Sequence, residues 1–186
     1  MRLIRFETIM VFAGLAGCAS DAVTSDAHTP PTSGRLDVEA WLAAGSYKQW
    51  ACETAPHASR NPSVHDFNRV CSNTLIAQNA TATTAWPKGA ASVKELYDAA
   101  SPTTLVGYAV YLKTAADSAN GASWYYYERV PLDSPAPHDA NGVVADGDGN
   151  SGPAKEICVG CHMGAGKDAA HTPTPGSHDF VYTVVH

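Results

Sequence analysis

Ser123-Trp124-Tyr125-Tyr126-Tyr127-Glu128-Arg129-Val130 is the stretch that decides the fold class. Aromatic and β-branched side chains dominate it, as a pleated, packed strand requires. Alternation puts Trp124, Tyr126 and Glu128 on one face and Tyr125, Tyr127 and Arg129 on the other. Upstream, residues 105–112 (LVGYAVYL) read as a second strand of the same kind. Residues 115–122 contain Asn120-Gly121 and read as the hairpin connection between the two. Residues 91–97 supply a third strand and 179–185 (DFVYTVV) a last one, so three or four antiparallel strands are expected. The fold class is α+β, mainly antiparallel β.

Working outward toward the N-terminus, Trp86-Pro87-Lys88-Gly89 is a turn. Asn73 can cap a short helix through Leu75 and Ile76 to Ala80. Residues 64–72 fit a strand and a helix equally. Pro56 and Pro62 bracket a loop carrying His57, with His65 just beyond; both histidines read as solvated loop residues. Asp37 can cap an N-terminal helix running to about Glu53, with Val38, Trp41 and Leu42 on one face and Trp50 extending it as core.

Toward the C-terminus, residues 131–153 are rich in Gly, Pro and Asp and read as loop. Asp146-Gly147-Asp148-Gly149-Asn150 starts like a calcium loop. The glycine then comes one place late, at Gly152, and the twelfth position is Ile157 rather than Glu. Directly after this loop stands Cys158-Val159-Gly160-Cys161-His162. This is C-x-x-C-H, the pattern that attaches a c-type haem. Each thiol can add to one haem vinyl group, and the following imidazole is then held as an axial iron ligand. A zinc half-site and a redox dithiol are the alternative uses of such a pair.

The other cysteines bear on this choice. Arg2 and Arg5, the apolar run Thr8–Gly17 and the sequence Leu15-Ala16-Gly17-Cys18 resemble a bacterial lipoprotein signal, in which Cys18 is lipidated and becomes the first residue. Glu7 is unusual there, and an ordinary signal peptide with an incidental cysteine is the other reading. Cys52 and Cys71 remain as a pair in an exported, oxidising compartment, where a disulfide is expected. A four-cysteine zinc site shared with Cys158 and Cys161 is the competing assignment. Export also suits haem, because c-type haem is attached outside the cytoplasm. The domain plan is therefore a signal over 1–17, a flexible Ser-, Thr-, Asp- and Pro-rich tether over 18–35, and one c-type haem domain over 36–186. The place is the periplasmic or outer-membrane face of a Gram-negative cell, with the lipid as the sole membrane contact.

Composition agrees with a globular core: 45% of residues are hydrophobic and 16% charged. The formal net charge is −6, and removing residues 1–17, with two Arg and one Glu, leaves −7. That balance argues against a nucleic-acid partner, which would call for a basic patch.

Iron in an electron-transfer cytochrome c usually takes a distal Met or His. The methionines are Met1, Met10 and Met163. The first two leave with the signal, and Met163 adjoins the proximal ligand and cannot reach the opposite side. A histidine can still close the site, with His57 and His65 among the candidates. Otherwise the sixth position is open, and an open position is expected here.

At this level the chain resembles cytochrome P-460 and its relative cytochrome c-prime-beta. The resemblance lies in Trp86-Pro87-x-Gly89, Val93-Lys94-Glu95-Leu96-Tyr97, Gly107-Tyr108-Ala109-Val110 leading to Lys113, the aromatic strand at Trp124, C-x-x-C-H and Asp179-Phe180-Val181-Tyr182-Thr183. It covers residues 64–186. It implies a mostly antiparallel β fold, usually dimeric, around a five-coordinate haem. One branch oxidises hydroxylamine and carries a lysine–haem link, passing electrons to a redox partner; the other binds nitric oxide or similar gases behind an apolar wall. The resemblance makes Lys94 the candidate for the link and Glu128 the candidate proton-moving carboxylate. As bare strand residues, both also read as exposed positions on a sheet.

Overall fold

The computed structural model describes residues 28–60 and 65–186. The signal, Cys18 and most of the tether lie outside the described residues. The centre is one antiparallel sheet of seven strands. Its strands are β1 (Ala51–Cys52), β2 (His57–Ala58), β3 (Phe67–Ser72), β4 (Ala91–Asp98), β5 (Ser101–Lys113), β6 (Trp124–Arg129) and β7 (Val143–Asp148). Their order is β1-β3-β4-β5-β6-β7, with β2 also paired to β3. This is the expected fold class with more strands than expected.

The two faces of the sheet bury different things. Cys71, Val93, Val110 and Tyr127 stand in one cross-strand row and pack with Tyr125 under the N-terminal helix. On the opposite face, Tyr111, Trp124, Tyr126 and Ala145 pack with Cys158, Val159 and Val181 of the C-terminal segment. The alternation read from residues 123–130 therefore holds on both faces.

The N-terminal helix α1 runs Arg35–Ala44 and buries Val38 and Leu42, one turn apart on its inner side. It is shorter than the expected helix to Glu53, and Asp37 lies in its first turn instead of capping it. Gly45 takes the left-handed conformation at φ 72° and stops it, as glycine does at this position. A 3₁₀ turn, Ser46–Gln49, leads into β1. Tyr127 Oη donates to Glu39 of α1 at 2.8 Å and ties the helix to the sheet. The packed chain starts before the expected tether ends: Pro30 is already buried, and the Arg35 N–H donates to Asp146 Oδ2 at 2.7 Å.

Two further elements follow the reading. Helix α2 (Thr74–Gln78) is capped by Asn73, whose Oδ1 accepts from the N–H of Ile76. The turn at Trp86–Gly89 places Gly89 at φ 91° before β4.

Three parts of the C-terminal half differ from expectation. Residues 131–153 are not all loop, because β7 lies inside them and pairs with β6. The calcium-like run ends this strand, and Asp146 accepts from Tyr125 Oη at 2.5 Å as a structural acceptor. The last expected strand, 179–185, forms only a single bridge between His178 and Val181. Asp179 and Phe180 have positive φ, 42° and 70°, which no strand allows. Side chains satisfy the backbone there in place of a ladder: Thr174 Oγ1 accepts from the Val184 N–H, and Ser177 Oγ donates to the Tyr182 carbonyl. His57 sits on β2, held by Glu53 Oε2 at 3.0 Å, and not on a free loop.

Cys52 and Cys71 are paired across β1 and β3 and form a disulfide, as expected. That removes two sulfurs from any four-cysteine zinc site and leaves Cys158 and Cys161 as the free thiols among the described residues.

Candidate functional site

Cys158, Cys161 and His162 share one helical segment. A wide π-helical turn, Ala154–Val159, runs directly into α3 (Gly160–His162). Val159 points the other way and packs in the core with Trp124, Tyr126 and Val181, which anchors the segment to the sheet. A cavity of about 750 Å³ opens beside it. Cys158, Cys161 and His162 line it, together with Glu128, His65, the apolar Leu96, Val106, Val130 and Val144, and further residues that include Asp66, Asp98 and Asp133. That volume is within the range of cofactor sites.

The His162 ring is enclosed by Tyr111, Tyr126 and Tyr182, at centroid distances of 5.6, 5.7 and 5.5 Å. Its Nδ1 donates to the Phe180 carbonyl at 2.7 Å. A carbonyl can only accept, so this bond fixes the proton on Nδ1 and the lone pair on Nε2. Burial lowers its pKa to about 4, so the imidazole is neutral at ordinary pH. A neutral ring with one nitrogen held by a backbone carbonyl is a ready metal ligand.

Burial pushes the Cys158 thiol up to about 12, and it raises Cys161 too. A redox dithiol needs the opposite, a thiol pKa lowered toward neutrality. Two protonated thiols and a fixed imidazole on one helical turn, facing a largely apolar cavity, fit a covalently attached haem. Cys158 and Cys161 would supply the two thioethers and His162 Nε2 the axial bond.

The sheet brings the two candidate polar residues into one row. Lys94 on β4 pairs with Ala109 on β5, and Ala109 with Glu128 on β6. They therefore share a face, two strand spacings or about 10 Å apart. Glu128 is buried, at 8% exposure, and not the exposed strand glutamate of the plain reading. Burial pushes its carboxyl up, but the hydrogen bond and charge of His65 and the Lys94 charge outweigh this, so its pKa falls below the ordinary value. Lys94 is partly buried; desolvation lowers its ammonium to about 8, against the opposing pull of Glu128.

His65 is the residue that sequence reading misplaced. Its Nδ1 is 3.2 Å from Glu128 Oε1, and its side chain is 13% exposed in the cavity wall. Its carbonyl accepts from Ser59 Oγ and Asn68 Nδ2, which fixes its backbone. Only the nearness of Pro62 hinted that this histidine sits on a constrained stretch. His171 and His178 are engaged elsewhere, with Asp168 and Trp86. A scan against protein-family models finds no match for this chain, and a search of curated proteins finds none either.

Proposed function

We propose that this chain is an exported, lipid-anchored c-type haem protein that acts on small nitrogen compounds, hydroxylamine foremost, at an open iron position. The observation that carries this reading is the Glu128–His65 pair in the wall of the cavity that also holds Cys158, Cys161 and His162. A pocket that only holds a gas needs no buried carboxylate. Oxidation of hydroxylamine releases protons as well as electrons, and a buried base beside the site takes them up. The resemblance to cytochrome P-460 points the same way, with its P-460-like β domain.

When bound, the haem supplies an iron that accepts electrons from the ligand and passes them to a separate redox protein. The chain does the rest. Cys158 and Cys161 would tether the group, and His162 would bind its iron through Nε2. Glu128, held ionised, receives protons, and His65 keeps its carboxylate aimed into the cavity. Lys94, with a lowered pKa, is the candidate for a further covalent link to the haem. The apolar residues Leu96, Val106, Val130 and Val144 exclude water around the reacting atoms.

A second reading has its own observation. His65 lines the same cavity as His162, so it is a candidate sixth ligand, which would make the protein an electron carrier. One experiment separates these. The protein is made in cells that attach c-type haem, and its ferric and ferrous absorption spectra are recorded before and after nitric oxide. A high-spin spectrum with a strongly red-shifted ferrous band supports a linked haem and hydroxylamine oxidation. A high-spin spectrum without that shift, responsive to nitric oxide, supports a gas binder. A low-spin spectrum indifferent to nitric oxide supports His65 ligation. No attached haem overturns the reading.

A further inference from the structure

The turn at Asp179-Phe180 is strained, and the grip that holds it lies outside the cavity lining. Two consecutive non-glycine residues have positive φ, 42° and 70°. Such strain persists only where the surroundings over-determine it, and it gathers at functional sites. Here the carbonyl that the turn presents, that of Phe180, accepts the Nδ1–H of His162 at 2.7 Å.

The turn is gripped through the Asp179 side chain. Its Oδ2 accepts from the Trp86 N–H at 2.9 Å, and its Oδ1 accepts from Ser118 Oγ at 2.5 Å. Lys113 Nζ stands 3.5 Å from Oδ2 and also donates to Ser118 Oγ. Lys113 ends β5 and is 1% exposed, with Nζ 5.1 Å from the Trp124 ring. Trp86 closes the other side: its ring stacks on His178 at 4.2 Å and its Nε1 donates to the His178 carbonyl. A buried ion pair is weak support for stability, since apolar groups of the same size often do as well. A positioning task explains why one stands here.

We propose that Asp179 and Lys113 are positioning residues for the axial ligand. They lock the strained turn so that the Phe180 carbonyl holds His162 Nδ1–H, which sets the imidazole's orientation and its electron donation through Nε2. The inference rests on the haem reading but not on which small molecule the haem serves. Outer partners of a ligating histidine tune the metal in this way. A firm Nδ1–H bond makes the ring a stronger donor, which strengthens the iron–histidine bond and lowers the reduction potential.

The test uses the haem-loaded full chain, three disrupting variants, Asp179→Ala, Lys113→Met and the milder Ser118→Ala, and Lys113→Arg as a charge-keeping control. Haem attachment is read by the pyridine haemochrome spectrum, the iron–histidine stretch by resonance Raman of the ferrous protein, and the potential by redox titration. The expected result is attached haem in every protein, with the stretch moving to lower frequency and the potential moving upward in the three disrupting variants. Lys113→Arg, which keeps the charge, should restore both values toward wild type. Attached haem with lower thermal stability but unchanged stretch and potential in the disrupting variants overturns the positioning role. Wild-type chain without attached haem overturns the haem reading itself, a separate outcome. Should Asp179→Ala or Lys113→Met fail to fold, Ser118→Ala decides: it removes one hydrogen bond from each partner, and an unchanged stretch and potential there overturns the proposal.

Discussion

His65 Nδ1 and Glu128 Oε1 lie 3.2 Å apart in the wall of a cavity that Cys158, Cys161 and His162 also line. The pair joins the chain just before β3 to the C-terminal end of β6, and it helps keep a buried carboxylate charged. Without that partner, Glu128 loses the two largest influences that oppose desolvation, and its pKa should rise.

Glu128→Gln tests this arrangement directly. It preserves the side chain's size and removes the proton acceptor. Under the proposed function, hydroxylamine oxidation should fall by about 10²-fold or more, the usual worth of a positioned base, while the resting haem spectrum stays as in wild type. Equal turnover would rule Glu128 out. His65→Gln should instead shift the acid limb of the kcat/KM profile to higher pH, because Glu128 loses the group that keeps its pKa low.

Lys94 gives a pH signature of its own in the chain before haem is attached. Its pKa falls from 10.5 to about 8 on folding, with desolvation as the leading cause. Between those values the unfolded chain binds more protons than the folded one. Stability from this group therefore grows as pH rises through that window and is lost below about 8. Urea unfolding at a series of pH values should show the rise, and Lys94→Met should flatten it.

The Cys52–Cys71 bridge links β1 to β3 over a sequence separation of 19. In the chain-entropy account such a loop contributes about 3 kcal/mol. The double variant Cys52→Ala, Cys71→Ala should lower the unfolding free energy by that order. The urea midpoint of wild type should also drop on adding reductant, whereas that of the variant should not move.

Gly121 is a spacer between the β5–β6 connection and the haem-motif helix. It adopts φ 96°, and an added Cβ would come within 2.5 Å of Val159 Cγ1 and 3.0 Å of Phe180 Cε1. Gly121→Ala should therefore destabilise the fold by about 1–3 kcal/mol through overpacking. Because Val159 lies between the two thiols, covalent haem yield should fall as well. Thermal melting and a haem stain of the same preparation measure both effects.

Much of the scaffold was legible because its signals are local. The aromatic alternation at 123–130 fixed which side chains share a face, since a strand has period two whatever surrounds it. Asn73 advertised its cap, and Cys52 with Cys71 advertised a bridge through the count of cysteines. C-x-x-C-H stands out in the sequence for the same reason, as a fixed short spacing, and the structure places its three side chains on one helical segment. Three features depended on distant partners instead. Strand β7 is built from a Gly- and Asp-rich run with poor strand propensity, and pairing with β6 overrides that propensity. The run at 179–185 has good propensity but is pulled into a turn by Trp86, Ser118 and Lys113. The third is the placing of His65 on Glu128.

The sequence alone determined a mainly antiparallel β protein with a C-x-x-C-H segment, a disulfide pair and a short capped helix, because each follows from spacing or period within a few residues. Only the tertiary structure decided that His65 meets Glu128, that Lys94 shares the Glu128 row, and that Asp179 turns Phe180 toward His162. Those contacts join residues far apart in the chain, and they exist only once β3 to β7 lie side by side and the C-terminal segment packs on one face of the sheet.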